Sequence, residues 1–267
     1  MPKISVVLPV YNSNELHLTE CLKSIQDQTF TDWECLVVND GAPLVGQPQT
    51  LIANDSRFVE LCDHMGHGLA SALNFGINRA SGNYIARMDS DDICSIDRFE
   101  VQITALDGDL SLAAVGSSII LINQRGQLIG YLDFPITKEA INRRFLYRNA
   151  FAHPTIMMRR SLLDDIGAYC EDFYQCEDLE LWLRARSKKK KMLNLPSYLL
   201  SYRVQDEYER PQANWNFNLK ARVRHFRPNK LSDYFSVFFS FVNMIVPSFI
   251  RRHSFRLLVQ DKLKVSK

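Results

Sequence analysis

A chain of 267 residues that is 46% hydrophobic and 23% charged can bury a sizeable core, and it suits one large domain or two closely joined domains. The formal net charge is only +2, but residues 217–267 carry eleven Lys/Arg and two Asp, a balance of +9 that leaves −7 for residues 1–216. The six cysteines lack a CxxC pair or zinc-ligand spacing, and no cleavable signal opens the chain. We therefore expect reduced cytosolic thiols and no disulfide framework.

The first hundred residues alternate strand-like and helix-like patterns. The predicted order is a strand over 4–11, a helix carrying Leu18, Leu22 and Ile25, strands over 35–38 and 58–61, a helix over 67–80, and a strand from Tyr84. This alternation predicts βαβ units and a parallel sheet. The first strand is nearly all apolar, which predicts a central position, and Pro9 is expected at its end because proline lacks a backbone donor.

An acidic cluster follows the strand that begins at Tyr84. Asp89, Asp91 and Asp92 occupy three of four successive positions, and such close carboxylates repel one another unless a positive charge lies between them. A divalent cation with oxygen ligands is one partner, and Mg²⁺ or Mn²⁺ held this way usually also contacts substrate phosphates. The alternative is a helix start, because Asp is favoured at helix N-termini and a helix is predicted from about Asp97.

The predicted topology favours the ligand site. In open α/β sheets, ligands bind at the carboxyl ends of the strands. This rule brings residues 9–11, Asp40 and residues 89–92 to one edge, although they are spread over eighty positions of the sequence.

The second half has a mixed pattern of strands and helices. We expect this region to cover the edge of the sheet and to admit a second substrate there. The pattern predicts strands over 112–122 and 128–131, a helix over 136–147, a strand over 153–158, a helix capped by Ser161 that ends at Gly167, a helix from Glu177, and paired strands over 192–195 and 198–204.

The C-terminal part combines apolar and basic character. Residues 231–250 are rich in Phe, and Lys/Arg flank them on both sides. Asp233, Asn243 and Pro247 interrupt the run, so an interfacial segment on anionic lipid is favoured over a spanning helix. The alternative is a terminal helix packed on the body.

Five motifs together resemble the family 2 glycosyltransferases with the GT-A fold. They are Ser5-Val6-Val7-Leu8-Pro9-Val10-Tyr11-Asn12, Asn39-Asp40-Gly41, Ala72-Leu73-Asn74-Phe75-Gly76-Ile77, Asp89-Ser90-Asp91-Asp92 and Glu177-Asp178. The resemblance covers roughly residues 3–205, and Asn39 departs from it, because the family often has an acid there. It implies an α/β fold with a Rossmann-like, mostly parallel sheet, a mixed acceptor-side region and a C-terminal helical tail. The expected parts are residues 1–105 for the nucleotide sugar, 106–216 for the acceptor and catalysis, and 217–267 for membrane association.

The resemblance also implies roles for single residues on the donor side. Residues implied to bind the nucleotide sugar are Pro9, Tyr11, Asn12, Asp40, Arg79, Asp89 and Ser90. Within this set, Tyr11 would stack on uracil and Asp40 would accept from its imide N–H. For Tyr11 the alternative is packing, and for Arg79 it is a solvated cation at a helix end.

On the metal and acceptor side, Asp91 with Asp89 would bind Mn²⁺ or Mg²⁺, supported by Asp92. Asp178 would be the general base that takes the acceptor proton, and its alternative is a helix N-terminal acid. Glu177 and His153 would have supporting roles, although both are also explained as structural residues.

The implied function is inverting transfer of a hexose or N-acetylhexosamine from a UDP-sugar to a saccharide acceptor. The acceptor would be lipid-linked, in the assembly of O-antigen, capsule or lipooligosaccharide, at the cytoplasmic face of the cell membrane. The alternatives are a sugar nucleotidyltransferase and a non-catalytic membrane-bound scaffold. Nucleic-acid binding is not expected, because the basic tail is apolar between its charges.

Overall fold

The computed structural model describes residues 2–62, 68–204 and 212–246. The described residues contain a nine-stranded sheet with the order β3-β2-β1-β4-β8-β6-β9-β5, and β7 pairs with β6 at one side. The strands are β1 (Ile4–Val10), β2 (Trp33–Asn39), β3 (Phe58–Cys62), β4 (Tyr84–Arg87), β5 (Ile93–Cys94), β6 (Leu112–Ile122), β7 (Leu128–Leu132), β8 (Met157–Arg159) and β9 (Lys191–Arg203). Strands from both sides of the expected boundary at residue 105 belong to this one sheet.

Strands β1 to β4 form the parallel part of the sheet. β1 lies between β2 and β4 and is buried along nearly its whole length, which explains its continuous apolar sequence. The pairing of β1 with β4 stops at Val7, so Pro9 lies beyond it, one residue before the end of β1. The predicted position of Pro9 near the strand end is therefore correct to one residue.

The second half of the sheet is mixed, as predicted. β8 is antiparallel to both β4 and β6, whereas β6 and β9 are parallel. Two predictions are wrong in detail. The two strands predicted over 192–195 and 198–204 are one strand, β9 (Lys191–Arg203), with a register shift between Leu195 and Tyr198. Residues 153–158 are not one strand, because His153–Thr155 is a 3-10 helix with Pro154 in its first turn.

Helices cover both faces of the sheet and enclose two apolar clusters. The helices of residues 2–204 are α1 (Glu15–Gln26), α2 (Gly46–Asn54), α3 (Leu69–Arg79), α4 (Arg98–Gly108), α5 (Lys138–Arg144), α6 (Arg160–Ile166) and α7 (Glu177–Ser187). α2 was not predicted, and the predicted start of α3 at His67 lies outside the described residues. Ser161 does not cap α6, because Arg159 occupies the N-cap position, but the helix ends at Gly167 as predicted.

Two further helices, α8 (Gln212–Arg224) and α9 (Leu231–Ile245), follow the body. α8 packs on α7, and Ala221 and Arg222 are buried there. The predicted boundary at residue 217 therefore falls inside α8. No helix among the described residues is long and apolar enough to cross a bilayer. Residues 247–267, including Pro247 and six of the tail cations, lie outside the described residues.

Candidate active site

Three loops meet at the carboxyl edge of the parallel strands. The loop after β1 contacts the loop after β2, because Ala42 N donates to Asn12 Oδ1 at 3.2 Å. The loop after β1 also contacts the acidic loop after β4, because the hydroxyls of Ser13 and Ser90 are 2.6 Å apart. The Tyr11 side chain is 68% exposed at this edge. The sequence prediction that these loops converge is confirmed.

The carboxylates of Asp89, Asp91 and Asp92 form a compact acidic cluster in which one oxygen from each lies within 4.8 Å of the others. Asp92 is fully buried, and its Oδ2 has no hydrogen-bond partner among the described residues. Burial and then the Asp89 charge raise the pKa of Asp91, and the same causes raise the pKa of Asp92 well above its usual range. Crowded oxygens with an unpaired buried oxygen suit a divalent cation, for which the half-buried Asp89 and Asp91 are the accessible ligands.

Arg87, at the end of β4, is a cation in contact with the cluster. Its guanidinium Nη1 is 2.5 Å from Asp89 Oδ2, and its side chain is 3% exposed. Burial acts to lower the pKa of Arg87, but the charge of Asp89 opposes it and the pKa is raised, so Asp89 offsets the lost hydration of this buried guanidinium. Arg87 therefore fixes the orientation of Asp89 within the cluster.

Arg203, at the end of β9, holds the acidic loop from the other side. Its backbone N–H donates to Asp92 Oδ1 at 2.8 Å, and its Nε donates to the carbonyl of Asp91 at 2.8 Å. Its Nη2 is 2.6 Å from Glu20 Oε2 on α1. The side chain of Arg203 thus connects the acidic loop, α1 and β9.

The N-terminus of α7 carries two further acids. Asp178 is half-buried, and its Oδ2 accepts from Asn149 Nδ2 at 2.5 Å. Glu177 is buried, and burial together with the Asp178 charge raises its pKa to about 7. The charges of Arg87 and Asp89 also act on Glu177. The start of α7 therefore lies within electrostatic range of the acidic cluster.

The comparisons with known proteins agree with this geometry. The family model for glycosyl transferase family 2 matches residues 5–167. The chain belongs to glycosyl transferase family 2. It is 30% identical over 226 residues to the amylovoran biosynthesis glycosyltransferase AmsE of Erwinia amylovora, covering 84% of each protein.

Two further comparisons cover most of the chain. It is 26% identical over 259 residues to the Escherichia coli UDP-Gal:alpha-D-GlcNAc-diphosphoundecaprenol beta-1,3-galactosyltransferase, covering 94% of this chain and 91% of the relative. A crystal structure of S. aureus TarS in complex with UDP-GlcNAc aligns with a TM-score of 0.66 at 19% identity, over 88% of this chain and 70% of TarS. The TarS likeness supports the GT-A fold, and the family makes the chain a glycosyltransferase.

His153 lies inside this family 2 enzyme. It is buried, and its Nε2 is 2.8 Å from the hydroxyl of Tyr169. Burial and then the Arg87 charge lower the pKa of His153 well below its ordinary value, so the ring is neutral at physiological pH. His153 therefore supports the buried wall behind Arg87, and it presents no exposed surface for an acceptor.

Arg79 is not brought to the site. It is the last residue of α3, which leads into the amino end of β4, so Arg79 lies at the sheet edge opposite the acidic cluster. Its guanidinium lies 3.4 Å from the centroid of the Phe75 ring, and Nη1 donates to the Phe75 carbonyl at 3.2 Å. The implied contact between Arg79 and a diphosphate is therefore wrong, and the alternative of a cation at a helix end is correct.

Four residues that position the site were missed from the sequence: Ser13, Arg87, Asn149 and Arg203. Arg87 and Ser13 adjoin recognised motifs, so their proximity to the site was available as a signal. Asn149 and Arg203 contact residues 29 and more than 100 positions away, respectively, and no local pattern distinguishes them.

Proposed function

We propose that this family 2 glycosyltransferase moves a hexose or N-acetylhexosamine from a UDP-sugar to a saccharide acceptor with inversion. The observation that carries the proposal is that Glu177, next to Asp178, lies within electrostatic range of Arg87 and Asp89, which are paired with each other in the acidic cluster. This arrangement provides a cation site for a diphosphate and, next to it, a carboxylate for an incoming hydroxyl.

On the donor side, Pro9, Tyr11, Asn12 and Asp40 bind the uridine, and Asp89 and Ser90 contact the sugar nucleotide. The exposed Tyr11 ring is available for stacking, and Asn12 holds the turn that carries Asp40. TarS bound to UDP-GlcNAc and the E. coli relative named for UDP-Gal support a UDP-sugar donor.

The acidic cluster is the proposed site of Mn²⁺ or Mg²⁺, with Asp89 and Asp91 as ligands and Asp92 in support. The unpaired Asp92 Oδ2 and the crowding of the three carboxylates support this assignment. When bound, the ion supplies positive charge against the departing diphosphate. Arg87 and Arg203 hold the ligands in place before the ion binds.

Asp178 is the proposed general base. Its carboxylate takes the acceptor hydroxyl proton while that oxygen bonds to the anomeric carbon and the bond to the diphosphate oxygen breaks. A single displacement inverts the configuration at that carbon. Asp178 is the accessible member of the pair, because Glu177 is buried and its raised pKa keeps much of it protonated near neutral pH.

The proposed acceptor is lipid-linked, in cell-surface polysaccharide assembly such as O-antigen, capsule or lipooligosaccharide. The names of AmsE and of the diphosphoundecaprenol galactosyltransferase support this class. Residues 217–267 would then attach the enzyme to the cytoplasmic face of the membrane. Family membership disfavours the sugar nucleotidyltransferase and scaffold alternatives.

Asp91→Ala tests the proposal, with Asp164→Ala on the exposed face of α6 as the matched control. In a screen of nucleotide sugars, the wild type and the control should transfer from a UDP-sugar with Mn²⁺ and lose activity in excess chelator. Asp91→Ala should be inactive and bind UDP more weakly, because the diphosphate loses its counter-charge. Full activity of Asp91→Ala, or of the wild type in chelator, contradicts the proposal.

A further inference from the structure

Helix α9 faces its polar side inward and its apolar side outward. Its buried residues are Asp233, Ser236 and Ser240. The exposed large side chains on α9 are Leu231, Tyr234, Phe235, Phe238, Phe241 and Ile245, with exposed fractions from 46% to 85%. A helix on a protein surface normally has the opposite arrangement.

The inward polar residues are hydrogen-bonded, so this orientation is specified by the sequence. Asp233 forms a bidentate ion pair with Arg227, at 2.8 Å for each nitrogen. Ser240 donates a hydrogen bond to Asn218 Oδ1 on α8 at 3.0 Å, and Ser236 Oγ accepts a hydrogen bond from the buried Arg222. Rotating α9 to bury its aromatic side chains would leave these partners unpaired, which is unfavourable for each buried polar group.

The apolar surface continues from α9 onto α8. Leu219, Val223 and Phe226 line an open apolar groove together with side chains of α9, and Val223 is 55% exposed. A contiguous apolar patch of this kind on a protein surface indicates a contact surface for an apolar partner. We call the exposed residues of α9 together with Val223 the aromatic face.

The charges beside the aromatic face indicate the chemistry of its partner. Asp233, which is buried, is the only carboxylate residue between 212 and 246, whereas Lys220, Arg224 and Lys230 are exposed. The sequence after residue 246 adds six Lys/Arg and one Asp. An aromatic surface bordered by cations and free of exposed carboxylates complements an anionic lipid surface.

We propose that the aromatic face lies in the plane of an anionic membrane, with Phe235, Phe238 and Phe241 inserted among the lipids. α9 has 15 residues and is therefore about 22 Å long, short of the ~30 Å hydrocarbon core, which requires an in-plane position. The inference deepens the proposed membrane location and rests on it.

Helix α8, which carries part of this apolar surface, also contacts the segment that leads into α7. Asn214 of α8 donates to the carbonyl of Gln175 at 2.6 Å, two residues before α7 and its Glu177-Asp178 pair begin.

Phe238→Trp in the full chain tests the proposal, with Leu110→Trp in the turn after α4 as the matched control, since Leu110 is 82% exposed. The probe is a vesicle of equal parts phosphatidylcholine and phosphatidylglycerol at low salt. The emission that the Phe238→Trp substitution adds should shift to the blue and be quenched by brominated lipid. The emission that Leu110→Trp adds should remain that of water-exposed indole.

Flotation gives the second readout. Phe238→Gln with Phe241→Gln should lower the vesicle partition coefficient at least about tenfold, whereas Leu110→Gln should not change it. All variants should bind UDP like the wild type, which separates failure of docking from failure of the proposed function. Equal flotation of all variants overturns the proposal. A dimer that depends on Phe238 and does not bind vesicles also overturns it, and assigns the aromatic face to a second copy of the chain.

Discussion

Glu177 and Asp178 are adjacent acids with different surroundings. Glu177 is buried, whereas Asp178 is half exposed and held by Asn149. We expect Asp178→Asn to lower kcat by about 10²–10⁴-fold, the usual size of a general-base contribution, with UDP affinity unchanged. Glu177→Gln should lower kcat less than about tenfold, because the neutral amide resembles the protonated acid. Steady-state kinetics and NMR of the product anomer measure both. A larger loss for Glu177→Gln, or a retained configuration, would reverse the assignment.

The raised pKa of Glu177 also predicts a pH dependence of stability. Because its pKa rises from 4.5 in the unfolded chain to about 7 in the folded protein, the folded state binds more protons between these values. The Glu177 contribution to the free energy of unfolding therefore falls as pH rises from about 4.5 to 7. Without metal or nucleotide, the free energy of unfolding of Glu177→Gln, relative to that of the wild type, should rise by roughly 1–3 kcal/mol from pH 5 to pH 7.5. Urea denaturation at each pH measures this difference. Parallel pH profiles of the two proteins would contradict this.

Arg203 holds the acidic loop in position, and we do not expect it to contact the substrate. Arg203→Lys keeps the charge but loses the fork that contacts both the Asp91 carbonyl and Glu20. We expect at least about tenfold weaker Mn²⁺ binding, the scale on which outer partners tune metal affinity. Calorimetry measures the affinity, and Arg125→Lys on the exposed β6–β7 turn is the control. Unchanged Mn²⁺ affinity with reduced thermal stability would make Arg203 only structural.

At the scale of elements, the close approach of α3, β4 and β1 depends on Gly82. A Cβ at this position would lie 2.6 Å from Ser5 N and 2.8 Å from Ile4 C, both backbone atoms at the start of a central strand. Gly82→Ala should therefore lower the free energy of unfolding by about 1–3 kcal/mol, because the strand must shift. Gly108→Ala is the control, since nothing lies within 4 Å of its Cβ. Equal stability of the two variants in urea denaturation would show that β1 can move freely.

At the scale of the whole molecule, the helical tail is partly a piece of the core. Phe217 packs on the cluster that contains Ala221 and Trp182. A chain that ends at residue 246 should keep its Tm within a few degrees and still bind UDP. A chain that ends at residue 216 should lose several degrees or aggregate, because burial of α8 contributes about 25 cal/mol per Å² of apolar area. Thermal denaturation measures both, and an unchanged Tm after truncation at 216 would make the tail a separate unit.

The sequence by itself determined the parallel half of the sheet and the meeting of its loops. Strands β1, β2 and β4 are buried along most of their length and are therefore mainly apolar, and the right-handed βαβ rule then brings Tyr11, Asp40 and the acidic cluster to one edge. Asp91 and Asp178 were named as candidates because each lies at the end or start of a recognisable element, and the roles proposed for them came from the family resemblance.

The tertiary structure alone decided which partners those residues meet. Arg203 reaches Asp92 across 111 positions, Glu177 is buried, and Arg79 lies at the wrong edge, none of which is visible in a local pattern. The inward polar face of α9 depends on Arg222 and Asn218 of another helix. The periodicity of a sequence indicates which side chains of an element share one face. Which way that face points, and which residues it contacts, depends on how whole elements pack against one another.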